Sequence, residues 1–454
     1  MPSPSAYPSR SLPAQLRFAL AVGLTALAAA GFAIAFRRGL HFVLVTTTER
    51  GDIVAAMRIL PWWLRLLLPA VGGLVAGLIG VVAARLPQEH GVGDVMEAVV
   101  LGQVRLSLRV TLLKSLASFG AIVTGGSLGR EGPLIQFGGA VGKQISRWLR
   151  LPLRDLRRVI AAGTAAGFAA AYNTPLAAVL FVLEVVLGVV VLDTVIPTLV
   201  ATVVASELSR IVAGEGPIYG QRAFVLGASW ELIAFAVLGL LAALTAQGFM
   251  RLQSWGERTL HAIRLPYRPA LGGLVAGAFV AAVPEVAGNG YEPLNDLIDG
   301  ELAVGFVLTL LFAKCFATTA SVSSGSPGGV FTPTLLIGGT LGFGYGALLH
   351  ALQLPAGPAP GYALVGMAAA IAATSHAPLM AAVMVFELSG DYAVVLPLAV
   401  STALATAASR AMRRDSIYGA ELRARGIGWA ITLEGRALER AARVQHGLNH
   451  GDGI

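Results

Sequence analysis

The chain has 454 residues, 56% of them apolar and 13% charged, with a mean hydropathy of +0.73 and a formal net charge of +8. A soluble domain carries roughly a quarter charged residues, so that class is excluded and a polytopic helical membrane protein is expected. Cys315 is the only cysteine, which excludes an intrachain disulfide, a cysteine zinc cluster and a redox pair.

In chain order, apolar runs cover 16–36, 59–84, 107–128, 159–212, 227–250, 269–286, 303–320, 330–352, 361–388 and 391–409. Several reach the roughly 20 residues that span a bilayer, and others are broken by Gly and Pro. The N-terminus shows no cleavage pattern, so the first run is expected to stay as a helix after a short tail, 1–14. Basic residues gather at Arg37-Arg38, in the 143–158 stretch and from Arg410 to Arg425. That is the bias expected of cytoplasmic loops. A basic balance also favours anions near the membrane mouth without identifying a substrate.

Two blocks recur. "GGSLGREGPLIQFGGAVG" (125–142) matches "GSPGGVFTPTLLIGGTLG" (325–342) at Gly125/Gly325, Gly129/Gly329, Pro133/Pro333 and three further glycines. "NTPLAAVLFVLE" (173–184) matches "HAPLMAAVMVFE" (376–387), with Pro175/Pro378 and Glu184/Glu387 in register. The common order of both blocks points to an internal duplication, with repeats at about 15–212 and 227–410 and a final helix from about 415. Duplicated membrane proteins often invert one half, so that broken helices meet at the midplane.

Each copy of the first block reads as a glycine turn followed by proline in the first turn of a helix, where its missing N–H costs nothing. Such a tip presents unpaired amides and about half a positive charge, which binds anions without a full cation. Binding of that strength also lets the ion leave again. Glu131, in "GREGP", places a carboxylate where the anion would sit. It therefore reads as a tethered competitor that protonation releases, with a buried structural salt bridge as the other reading. Arg130 is expected to pair with an acid or a carbonyl.

These residues resemble the CLC family of chloride channels and chloride/proton antiporters, as a prokaryotic member without regulatory domains. "GREGP" (129–133) matches the family's gating-glutamate motif, and "GSPGGVFTP" (325–333) is similar to its second motif. "DSIY" (415–418) resembles the start of its last helix, and "AAAYNTPLAAVLFVLE" (169–184) its dimer-side helices. The resemblance implies an all-α fold of tilted, discontinuous helices in an inverted repeat over about 15–425. It also implies a homodimer with one pore per subunit in a cell membrane, here a bacterial inner membrane, with cytoplasmic termini. Glu131 would gate. Gly93, Val330, Phe331 and Tyr418 would hold a chloride-like anion, with Arg130, Gly132 and Val92 beside them. No cofactor, metal or nucleic-acid partner is implied, and no enzymatic activity. The tail 426–454 is too short for the family's nucleotide-binding modules.

Two departures stand out. The family's first motif carries a serine where "GVGDV" (91–95) has Val92, so chloride selectivity is open; Asp94 reads as a solvated or helix-capping acid. Val185 stands where exchangers carry an inner proton-relay glutamate, and its neighbour Glu184 points about 100° away on a helix. Passive or weakly coupled conduction is therefore expected, with a chloride/proton antiporter using another inner route as the alternative.

Two other classes fit parts of the pattern. Gly125–Gly129 fits G-x-S-x-G, and an intramembrane serine hydrolase would need Ser127 and His376 within hydrogen-bond reach. A cation-coupled transporter would use Glu184 and Glu387, which otherwise read as helix ends at the membrane surface.

Overall fold

The structure, a computed structural model, describes residues 12–83, 91–102, 106–213, 230–424 and 426. The 1–11 stretch and almost all of the 426–454 tail lie outside the described residues.

The first half runs α1 (Leu12–Thr48), α2 (Ile53–Ile59), α3 (Trp62–Ala83), α4 (Val92–Val100), α5 (Leu108–Val123), α6 (Glu131–Trp148), α7 (Leu153–Tyr172), α8 (Pro175–Leu180) and α9 (Leu192–Ala213). A π-helical turn, Phe181–Leu187, continues α8. The second half runs α10 (Glu231–Leu260), α11 (Tyr267–Ala282), α12 (Tyr291–Ile298), α13 (Val304–Ser323), α14 (Phe331–Ala351), α15 (Ala359–Ser375), α16 (Pro378–Ser389) and α17 (Val395–Met412), before α18 (Ile417–Ala424). Among the described residues, 7 helices are long and apolar enough to cross a membrane, and no strand is present.

The helices from α3 to α9 correspond to those from α11 to α17, and the contacts between the halves are reciprocal. A Cβ on Gly73 would collide with the Pro269 carbonyl, and one on Gly273 with the Pro69 carbonyl. Gly77 and Gly277 repeat the pattern one turn on, against Pro266 and Leu66. Small residues four apart let α3 and α11 cross backbone to backbone, which is how helices associate in lipid without a hydrophobic driving force. A second reciprocal pair ties α8 to α16. Glu387 accepts the N–H groups of Leu176 and Ala177 at 2.9 and 2.8 Å, and Glu184 those of Leu379 and Met380 at 3.3 and 2.7 Å. Each carboxylate thus satisfies the first-turn amides of its counterpart's helix.

The apolar pattern misplaces two boundaries. The 159–212 run is not one span: α7 ends at Asn173 in the left-handed region (φ 54°), and Pro175 starts α8. The 361–388 run breaks the same way at His376 (φ 59°) before Pro378. In both, a left-handed C-cap followed by proline stops one helix and starts the next. The first helix also passes Arg37-Arg38 and ends at Thr48. Helices α7 and α15 are buried almost all round, Ala-rich, and packed behind α6 and α14 respectively. A helix apolar on every face belongs inside the bundle, and these two back the helices whose tips meet.

Candidate anion site

Gly129 and Gly329 form an antiparallel bridge, each donating its N–H to the other's carbonyl at 2.7 Å. Helices α6 and α14 begin two residues later, at Glu131 and Phe331. The bridge therefore pins two helix N-termini side by side, although they belong to opposite halves of the chain. Around it, Leu128 donates to the Gly288 carbonyl at 3.2 Å, and that oxygen also accepts a hydrogen bond from Lys314 Nζ at 2.9 Å.

The Glu131 side chain folds back over the bridge and is 2% exposed. Its Oε1 accepts the Phe331 N–H at 2.7 Å, and its Oε2 accepts the Thr332 hydroxyl at 3.1 Å. The Thr332 proton is thus committed, so Tyr172, whose hydroxyl lies 2.7 Å away, is the donor in that contact. A Cβ on either Gly129 or Gly329 would collide with the carboxylate. An anion, here the side chain's own, occupies the amide tip of α14, where the helix dipole and unpaired N–H groups favour negative charge. Among the described residues no cation lies within ion-pair distance of Glu131.

Of the other expected residues, Val330, Gly132 and Tyr418 lie close to this point. Val330 is the N-cap of α14, and Gly132 is the second residue of α6, where a Cβ would lie 3.5 Å from the Gly329 nitrogen. Tyr418, at the start of α18, is near enough to Glu131 to interact electrostatically. A line of rings joins it to the site: Tyr418 meets Phe181 at 6.2 Å, Phe181 stacks on Phe168 at 4.8 Å, and Phe168 meets Phe331 edge-on at 5.3 Å. Val92 and Gly93 open α4, which packs on α6 and α18. Asp94 accepts the Gly91 N–H at 2.9 Å and so caps α4. Arg157 closes the other end of that helix through the Val99 and Val100 carbonyls.

Arg130 is the N-cap of α6, and among the described residues it makes no hydrogen bond or ion pair to an acid or carbonyl. It stands half-buried in electrostatic range of Arg37, Tyr291 and Glu292. Val185 is buried in the π-helical turn, and Glu184 beside it is held on α16. Ser127 meets Thr318 (2.9 Å) and His376 meets Ser409 (3.2 Å), so the hydrolase pairing is not formed.

Three site residues escaped sequence reasoning. Thr332 sits inside the second motif, so its hydroxyl one step from Phe331 was the available signal. Tyr172 is joined to it only by folding. Lys314, 0% exposed on α13, donates to the Val286 and Gly288 carbonyls at 2.9 Å each and interacts electrostatically with Glu131. A lone lysine in an apolar run was the signal there, since a charge inside a membrane domain is functional by default.

Known proteins resemble this chain in sequence and in fold. Residues 71–410 match the family described as voltage gated chloride channel. The chain is 39% identical over 410 residues to a ClcB-like chloride channel protein of Ralstonia nicotianae, covering 88% of this chain and 95% of that one. It is 35% identical over 415 residues to the voltage-gated ClC-type chloride channel ClcB of Escherichia coli O17:K52:H18, covering 89% and 97%. Among solved structures, the fold is similar to a slow cyanobacterial Cl-/H+ antiporter (TM-score 0.77, 22% identity, 91% of this chain and 98% of that one). It is also similar to a CLC-type fluoride/proton antiporter (TM-score 0.70, 22% identity, 88% and 97%).

Proposed function

Because this chain belongs to the voltage gated chloride channel (CLC) family, we propose that it moves small inorganic anions through the paired tips of α6 and α14, with Glu131 as a movable plug. The observation that carries the reading is the Phe331 N–H on Glu131 Oε1 at 2.7 Å. A carboxylate already occupying an amide tip marks where a free anion would bind once the side chain swings away. Amides and hydroxyls, without a paired cation, suit an ion that must also leave. The proposed working unit is a homodimer with one such site per subunit, in the inner membrane of a bacterium.

Passive or weakly coupled conduction is favoured. Position 185 is aliphatic, and the nearest acid, Glu184, is engaged as a helix cap. One observation supports exchange instead: the Tyr172 and Thr332 hydroxyls offer a proton a hydrogen-bonded path to Glu131 that bypasses position 185. Simultaneous anion and proton flux from purified protein in liposomes separates the two. Anion flux without proton counterflow is the expected result; uphill proton uptake driven by a chloride gradient would establish the exchanger, and no anion flux would end the proposal.

A further inference from the structure

Lys314, fully buried on α13, spends its amine on two backbone oxygens, the Val286 and Gly288 carbonyls, at 2.9 Å each. Among the described residues no carboxylate lies within ion-pair distance of it. Burying an ammonium that no carboxylate pairs with is unfavourable. A neutral donor would brace the same two carbonyls with a smaller desolvation penalty. The charge, more than the two hydrogen bonds, therefore calls for a function.

The position of that charge is fixed. The Gly288 oxygen accepts both Lys314 Nζ and the Leu128 N–H, and Leu128 precedes Gly129, whose bridge to Gly329 lies under the Glu131 carboxylate. A Cβ on Gly290 would meet Lys314 Cε at 3.4 Å, so the stem is packed as well as the amine bonded. The ammonium thus stands one carbonyl away from the bridge, in electrostatic range of Glu131 without touching it. Glu292, in the first turn of α12, is the other acid in its range.

A cation in contact with a permeant anion traps it, whereas one held off acts through space, and salt screens buried charges little. We propose that Lys314 is the fixed counter-charge of the anion site, favouring whatever negative group occupies the α14 tip without bonding to it. The inference rests on the reading of that tip as an anion site. The tip amides supply contact and about half a positive charge; Lys314 supplies a full charge and no contact. While Glu131 is in place the charge favours its carboxylate, and when an anion takes over it favours the anion. Plug and ion then exchange at constant net charge, and neither is given an advantage over the other.

That balance hides Lys314 in the intact protein, and Glu131→Gln exposes it by removing the competitor. Calorimetric titration of chloride into the full chain, in chloride-free detergent buffer at mildly acid pH to favour the ammonium, is the test. In the Glu131→Gln background, Lys314→Gln and Lys314→Met should each lower chloride affinity about tenfold. Lys314→Arg keeps the charge and should stay within about twofold of lysine. A mere brace would behave in the opposite order, with Gln, still a donor, holding chloride as lysine does. Undiminished affinity in Lys314→Gln, an Arg variant as weak as Gln, or loss of folded protein in all three would each overturn the assignment. No chloride binding by Glu131→Gln alone would end the anion-site reading and this one with it; binding that ignores position 314 ends this one only.

Discussion

Glu131 Oε1 accepts the backbone N–H of Phe331 at 2.7 Å, across 200 positions of sequence and between equivalent places in the two halves. Neither half holds this contact alone: the first supplies the carboxylate and the second the amide that donates to it. The Gly129–Gly329 bridge sets their separation, so the spacing of acid and amide is a property of the paired repeat.

The first prediction concerns that acid. Hydrogen bonds to a charged group are roughly twice as strong as neutral ones, so protonating Glu131 weakens its hold on Phe331 and Thr332. Anion flux should therefore rise as pH falls. Glu131→Gln, uncharged at every pH, should raise flux at neutral pH by about fivefold, the effect of ~1 kcal/mol, and flatten the pH profile. Vesicle efflux measured across acid and neutral pH checks this; an unchanged profile removes Glu131 from the mechanism.

The hydroxyl pair can be separated from the acid. Thr332→Val deletes the bond to Oε2 and Tyr172→Phe deletes the donor behind it. If the pair only secures the carboxylate, each change should raise neutral-pH flux severalfold, at about 0.5–1.5 kcal/mol per bond. If it relays protons, Tyr172→Phe should instead abolish proton movement while anion movement continues. Paired proton and anion electrodes read the difference directly.

Val92 opens α4 and offers no side-chain donor. Val92→Ser adds a hydroxyl at that helix start and should shift preference toward chloride over nitrate by a few-fold, within the ~0.5–1.5 kcal/mol of one hydrogen bond. Reversal potentials in mixed chloride and nitrate report it. An unchanged ratio would place Val92 outside the ion path.

The reciprocal caps make a stability prediction. Glu184→Gln and Glu387→Gln each remove a charge from the two amides it caps, and each should cost about 1 kcal/mol. A lowered thermal midpoint with unchanged ion coupling is expected for both. Loss of proton movement in Glu184→Gln without a change in midpoint would give that residue a transport role instead.

Much was readable from local pattern. Composition and run length give the membrane class, because hydrocarbon tolerates only internally bonded backbone. The matched Gly-Pro blocks give the duplication, since a turn into a helix has a strict local chemistry. Apolar periodicity does not register the breaks at Asn173 and His376, each a single left-handed residue inside a hydrophobic run, but their matched places in the two repeats point to a helix turn there. Lys314 and Tyr172 were missed for a different cause: their partners, Gly288 and Thr332, are 26 and 160 positions away, and no spacing rule reaches them.

What the sequence determined by itself was the inventory: two proline-started helices with amide tips, one carboxylate at the first, an aliphatic residue at 185 and a valine at 92. Tertiary structure alone decided that the two tips face each other, that Glu131 rests on the other half's helix, and that Glu184 and Glu387 cap helices in exchange. The physical reason is range: capping and turn chemistry act within a few residues of chain. The meeting of the halves depends on glycine crossings that pack only after both have folded.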